Sequence, residues 1–174
     1  MIFNSARITA ARKKIARLVE EQTPKSFPGT PKSLGIIIDA KNGKSLKTLS
    51  ELKKQLKIPA AGFKVMYVSA NKLIPADIEA TVINLQDFDS KGEIINKEIE
   101  EITSRGVDLL LTFAAENNTT AHLLTAYFKA GLKVGRYQQN AALYDLILQT
   151  EEDPELFVEE LLKYLKHVTK KSNE

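Results

Sequence analysis

The sequence predicts a three-layer α/β/α domain with a mostly parallel sheet of about five strands, preceded by an appended N-terminal helix. Short apolar runs alternate with helical patterns from Leu34 onward. Strands that alternate with helices pair in parallel through right-handed crossovers. The apolar runs show no alternation with polar residues, which is typical of a sheet covered on both faces. We therefore expect a Rossmann-like arrangement, with helices on both sides of the sheet.

The first element is a helix over residues 5–21, because its apolar residues recur on one stripe at helical spacing: Ile8, Ala11, Ile15, Leu18 and Val19. Three prolines and one glycine follow within residues 23–31. Such a stretch cannot continue a helix. The chain therefore divides into a basic amphipathic helix, a Pro-rich linker and a single α/β domain, over residues 1–22, 23–33 and 34–174.

Apolar runs predict the strands of the domain, and the run from Leu34 to Ile38 is continuous and rich in β-branched residues. The five predicted strands cover residues 34–38, 63–69, 81–84, 107–113 and 132–137. Helical periodicity fills the intervals and continues beyond the last strand, over residues 46–57, 92–104, 119–130, 141–149 and 154–168. Residues 70–80 show no period and are predicted to be irregular.

Composition excludes several kinds of site. The chain has no cysteine, so it has neither a disulfide scaffold nor a thiolate nucleophile or metal ligand. Two histidines argue against a multi-histidine metal centre, and we predict no metal and no cofactor. The longest apolar runs fall far short of the roughly 20 residues of a membrane span. With no apolar leader pattern after Met1, these features favour the cytoplasm.

The charges are distributed unevenly along the chain. Residues 1–64 hold 14 Lys and Arg against 4 Asp and Glu, a net charge of +10. Residues 65–174 hold 11 against 18, a net charge of −7. Opposite charges on two halves of one chain suit a contact with a second copy, so we expect a homo-oligomer such as a homodimer; an acidic protein partner would also fit the basic half.

Polar residues follow the predicted strands where a parallel sheet binds its ligands, outside the carboxyl ends. The candidate ligand-binding residues are Asp39, Ser69, Asn84, Glu116, Asn118 and Arg136. Two structural alternatives stay open. Asp39 could instead cap the turn of residues 40–43, and Asn118 could cap the helix that begins near Thr119.

No sequence motif identifies a reaction. The chain has no Gly-rich phosphate loop and no nucleophile elbow. His122 and Glu116 could form an acid–base pair, but no serine or second acid completes a triad. A partly buried structural His122 is the alternative, and whether the protein is an enzyme stays open.

The predicted N-terminal helix carries a second set of candidates, which would bind an acidic partner or nucleic acid: Arg7, Arg12, Lys13, Lys14 and Arg17. No aromatic residues interleave with these charges, so base stacking is not supported. The helix could also pack on its own domain or on a second subunit, with its charges in solvent.

Two segments carry a resemblance to a known family. Residues 32–40, Lys-Ser-Leu-Gly-Ile-Ile-Ile-Asp-Ala, follow a basic helix, and residues 132–136 read Leu-Lys-Val-Gly-Arg. Together with the spacing of elements over residues 12–150, they resemble an uncharacterised bacterial family found mainly in Bacteroidetes. The resemblance implies the fold and a bacterial cytosolic setting, and it implies no activity.

Three functional hypotheses follow from the sequence. The leading one is a non-catalytic partner-binding or regulatory domain that self-associates. The second is a small-molecule or nucleotide-binding enzyme that uses the carboxyl ends of the strands. The third is binding to RNA or the ribosome through residues 7–17 and the lysine-rich helix 46–57.

Overall fold

The structure is a computed structural model that describes residues 2–23, 26–71, 74–75 and 77–172, with side chains from residue 5 to residue 169 within those ranges. Its helices are α1 (Ile2–Glu21), α2 (Leu46–Gln55), α3 (Lys97–Arg105), α4 (Thr119–Tyr127) and α5 (Pro154–Ser172). Its strands are β1 (Leu34–Asp39), β2 (Phe63–Val68), β3 (Thr81–Ile83), β4 (Val107–Phe113), β5 (Ala130–Gly135) and β6 (Leu146–Ile147). Pro24 and Lys25 of the predicted linker, and Lys72, Leu73 and Ala76 of the predicted irregular stretch, lie outside the described residues.

All neighbouring strands pair in parallel, in the order β3-β2-β1-β4-β5-β6. The strand order reverses between β1 and β4, which makes their carboxyl ends the switch point of the sheet. The predicted parallel α/β/α fold is confirmed, with a sixth short strand beyond the five expected.

The sheet separates two apolar cores. Alternate residues of β1 enter them, because successive side chains of a strand point to opposite faces. Ile36 and Ile38 pack with the apolar residues of α2 and α5. Ile37 packs with α3, α4 and Ala11 of α1. Both faces of the sheet are thus covered, as the continuous apolar runs predict.

Helix α1 packs against α4 of its own domain. Ala11 is 1% exposed, and the amide of Gln22 donates to the carbonyl of Ala126 at 3.4 Å. The Nζ atom of Lys14 lies 2.6 Å from a carboxylate oxygen of Glu93. Ile15, Leu18 and Val19 also pack against buried residues of the domain, so the helix is held by its apolar stripe together with these polar contacts.

Several predicted helix boundaries differ from the structure by a few residues, and one predicted helix is absent from the described residues. Helix α3 begins at Lys97 rather than residue 92, because the side chain of Asn96 accepts from Glu98 N and caps it. Helix α4 ends at Tyr127, because the next residues turn directly into β5. The helix predicted over residues 141–149 is wrong: that segment holds the end of a 3-10 turn and strand β6.

Candidate functional site

The carboxyl end of β1 places Asp39 at the switch point, where it is 3% exposed. Its Oδ1 atom accepts from the backbone N and the Nδ2 of Asn42, at 3.1 and 2.7 Å. Its Oδ2 atom accepts from Ala115 N at 2.7 Å and from Asn118 Nδ2 at 3.2 Å. The predicted turn-capping role is confirmed, and the same carboxylate also ties β1 to the loop after β4.

Arg136 follows β5 and is also 3% exposed. Its Nη2 atom donates to the carbonyl of Ala114 at 2.7 Å, and Nη1 donates to the carbonyl of Glu151. The guanidinium carbon lies 3.8 Å from the ring centroid of Phe113 and 5.0 Å from that of Tyr137. Burial lowers the pKa of Arg136, and the nearby carboxylate of Asp39 opposes that shift.

Asp39 and Arg136 therefore meet at one peptide group. The carboxylate accepts from the N–H of Ala115, and the guanidinium donates to the carbonyl of Ala114. These two atoms belong to the same peptide bond. We call this arrangement of Asp39, the 114–115 peptide group and Arg136 the charge clamp. It fixes the start of the loop that leads from β4 into α4.

That loop carries two further candidates. The Oδ1 atom of Asn118 accepts from Ala121 N at 3.1 Å, so the predicted capping of α4 is confirmed. Its amide also reaches Asp39, as above, which joins these two candidates directly. The backbone carbonyl of Glu116 lies 3.0 Å from Nε2 of His122.

Ser69 and Asn84 end the two outer strands on the other side of the switch point. The Ser69 hydroxyl donates to Oδ1 of Asn71 at 2.7 Å. Asn84 accepts from Gln86 N through Oδ1 at 2.9 Å and caps the short turn after β3. Both side chains are buried and serve local turns.

Two cavities flank the start of α4 at this edge. One, of about 730 Å³, brings together Arg7 of α1, Asn84 and Asn118. The other, of about 610 Å³, is lined in part by Arg12 of α1, Glu116, His122 and Tyr137. Helix α1 thus contributes to the carboxyl edge, a placement that sequence periodicity alone did not predict.

His122 is 6% exposed, and both its ring nitrogens have partners. The carbonyl of Glu116 can only accept, so Nε2 carries the proton in the neutral ring. The other nitrogen, Nδ1, lies 2.9 Å from the hydroxyl of Tyr144. Burial lowers the pKa of His122, so the neutral form predominates in the folded protein at neutral pH.

Tyr144 was missed by sequence reasoning, because its partner His122 lies 22 residues away. Burial raises the pKa of the Tyr144 phenol to about 12. Its ring covers Gly135, where an added Cβ would come within 2.7 Å of ring carbons. A glycine inside a predicted strand was the available signal, since it indicates close packing at that point.

The basic candidates of α1 have different surroundings. Lys14 is engaged in its ion pair with Glu93, and its side chain is 11% exposed. Lys13 and Arg17 are exposed to solvent. Arg7 and Arg12 line the two cavities named above.

The described part of the chain shows neither a metal-binding cluster nor a membrane-crossing helix. Among those residues, no group of three or more His, Asp or Glu side chains is placed to hold a metal ion. No helix in the same ranges combines the length and apolar character that crossing a membrane requires.

Comparison with known proteins gives one match. The model of a family of unknown function (DUF6913) covers residues 7–168. No curated protein and no solved structure matches the chain.

Proposed function

Because the chain belongs to this family of unknown function, we propose its role from its own geometry: it is a non-catalytic domain that binds a protein partner. The charge clamp carries this proposal. A carboxylate has about four acceptor positions, and four donors occupy those of Asp39. No acceptor position on Asp39 is left for a substrate or a metal ion.

Arg136 supports the same conclusion. Its two terminal nitrogens donate to backbone carbonyls, and aromatic rings lie against the guanidinium. A guanidinium in such a position cannot approach an anion in solvent without breaking these contacts. The two charged groups nearest the switch point therefore act on the fold rather than on a ligand.

The partner follows from the charge distribution. The basic N-terminal part of the chain carries +10, and its exposed lysines suit an acidic protein surface. The acidic remainder carries −7 and would offer such a surface in a second copy, which supports self-association. A bacterial cytosolic setting is part of the proposal, supported by the two resembling segments and by the absence of cysteine.

A second candidate function rests on the cavity of about 730 Å³ beside the start of α4. Arg7 and the backbone N–H groups at the N-terminus of α4 would suit a small anion there. This candidate retains ligand binding at the carboxyl edge without Asp39 or Arg136.

The two candidates are separated by a pair of binding measurements. We expect a fluorescent Glu-rich peptide to bind the full chain saturably, with an affinity that falls as salt rises. We expect no shift in melting temperature across a panel of nucleotides, sugar phosphates and carboxylic acids. The second candidate function would replace the proposal if a metabolite raises the melting temperature of wild type by several degrees but leaves that of Arg7→Gln unchanged. Absence of peptide binding at low salt would overturn the proposal outright.

A further inference from the structure

A groove of about 910 Å³ lies on the side of the sheet away from α1, beside the first half of β2. Helix α2 and residues 77–80, which precede β3, form its walls. Four lysines line it: Lys44, Lys47, Lys53 and Lys64. Within the described ranges, none of the four takes part in an ion pair. We call this feature the lysine groove.

Two of these lysines, Lys47 and Lys53, belong to α2, whose Leu46, Leu49 and Leu52 are buried. Lys47 is exposed and Lys53 is half-buried. Lys47 and Lys53 both lie beside the groove. The Nζ atom of Lys53 sits 5.1 Å from the ring centroid of Phe63 on β2, which holds that charge at the groove wall.

The floor of the groove is a strand edge. Strand β3 pairs only with Met66–Val68 of β2. The preceding residues Phe63–Val65 have β1 on one side and, among the described strands, no neighbour on the other. The same three residues line the lysine groove. An open strand edge accepts an extended peptide through backbone hydrogen bonds.

The wall of the groove that faces α2 is acidic, and its charge indicates which kind of polyanion fits. Asp77 and Glu79 line that wall and are exposed. A nucleic acid carries a phosphate at every step, so its backbone would lie against these carboxylates. An extended peptide points alternate side chains to opposite sides, so its acidic residues can face the lysines alone.

We infer that the lysine groove binds an extended acidic segment of a partner protein, whose backbone runs along Phe63–Val65 and whose acidic side chains face Lys47 and Lys53. The inference rests on the proposed partner-binding function and assigns it a surface. That surface lies on the opposite side of the sheet from α1 and does not include the charge clamp.

The test uses the full chain and two labelled octapeptides followed by fluorescence anisotropy. One peptide alternates Glu and Val, and the other has the same composition with all Glu residues before all Val residues. We expect the alternating peptide to bind more tightly, because only its acidic side chains share one side of an extended strand. We expect the double substitution Lys47→Glu/Lys53→Glu to raise the Kd of this peptide at least about tenfold, since two attractive pairs become repulsive.

Lys54→Glu is the matched control. It reverses a charge on the same helix, but Lys54 does not line the groove, and its side chain is 82% exposed. We expect its Kd to stay within about twofold of wild type. Melting curves of both variants establish that they fold.

Each contrary result has a definite meaning. If the alternating peptide binds and Lys47→Glu/Lys53→Glu leaves its Kd unchanged, the groove is not the site, while the partner-binding function stands. If neither peptide binds wild type, the proposed function fails as well. Two other results would overturn the peptide assignment. One is that a single-stranded oligonucleotide of equal charge binds more tightly than either peptide and uses the same lysines. The other is that the Lys47→Glu/Lys53→Glu variant has a different mass from wild type in light scattering, because the occupant of the groove would then be a second copy.

Discussion

The carboxylate of Asp39 and the guanidinium of Arg136 hold the two ends of one peptide group: Asp39 accepts from Ala115 N at 2.7 Å, and Arg136 donates to the carbonyl of Ala114 at 2.7 Å. The two buried charges are thus joined through a polarised amide rather than through direct contact. Buried charges are costly unless paired and hydrogen-bonded. Here both carboxylate oxygens of Asp39 and both terminal nitrogens of Arg136 have partners, while the buried Nε atom of Arg136 has none. The same contacts fix the loop between β4 and α4.

The clamp also determines where α4 begins. Asp39 accepts from the amide of Asn118, whose carbonyl oxygen caps the helix. The position of the cap is therefore linked to β1 on one side and to β5 through Arg136 on the other. A ligand in the flanking cavities would meet a preformed loop rather than a mobile one.

His122 should make stability depend on pH in mildly acidic solution. Burial lowers its pKa in the folded state, while the unfolded chain takes up the proton near its ordinary value of 6.5. The unfolded state then binds more protons below pH 6.5, so the free energy of unfolding is highest above 6.5 and falls as pH drops toward the lowered pKa. The slope approaches about 1.4 kcal/mol per pH unit in that window, measurable by urea unfolding between pH 5 and 8.

The second histidine provides the control for this measurement. His167 is exposed on α5, so His167→Gln should preserve the pH slope, whereas His122→Gln should flatten it. A slope that survives in His122→Gln would assign the effect to another group.

Gly135→Ala should destabilise the protein by about 1–3 kcal/mol. The new Cβ would lie 2.7–2.8 Å from three ring carbons of Tyr144, and the ring is held by its contact with His122. Gly35→Ala in β1 is the matched comparison, because its nearest neighbour is a flexible Leu110 methyl at 3.1 Å. Chemical denaturation compares the two. Equal losses would show that the Tyr144 ring yields as readily as a leucine methyl.

Lys14→Ala should cost more stability than Arg17→Ala, although both remove a cation from α1. Lys14 contacts Glu93 with its side chain 11% exposed, and its stem packs beside Gly92, whereas Arg17 is exposed. We expect about 0.5–1.5 kcal/mol for Lys14→Ala and within about 0.5 kcal/mol of wild type for Arg17→Ala. Identical unfolding midpoints would mean that Lys14 does not anchor α1.

Much of the fold was predictable because its strands are continuous apolar runs. The sequence predicts β4 at Val107–Phe113 as observed, since this run is apolar at every position except Asp108 and Thr112. Strand β6 was missed, because two residues, Leu146–Ile147, are too short to show a period. Their pairing with β5 depends on tertiary packing.

The candidate site was predictable in part. The positions of Asp39 and Arg136 after their strands follow from the strand pattern, and their placement near the switch point follows from the topology. The sequence does not predict that Asp39 and Arg136 bind the same peptide group, because this contact depends on the backbone path of residues 114–115. The lysine groove depends likewise on where β3 stops pairing with β2, and a three-residue strand gives no sequence signal for that.

A double-mutant cycle on the charge clamp tests the central claim most directly. The free energies of unfolding of wild type, Asp39→Asn, Arg136→Met and the double variant are measured by urea denaturation. If the two charges act as one structural unit, each single substitution leaves the other charge buried without its counterpart and costs about 2–4 kcal/mol. The double variant then costs less than the sum of the singles by about 1–3 kcal/mol. Costs that add to within about 0.5 kcal/mol, or single variants as stable as wild type, would contradict the account and return Asp39 and Arg136 to the list of candidate ligand-binding residues.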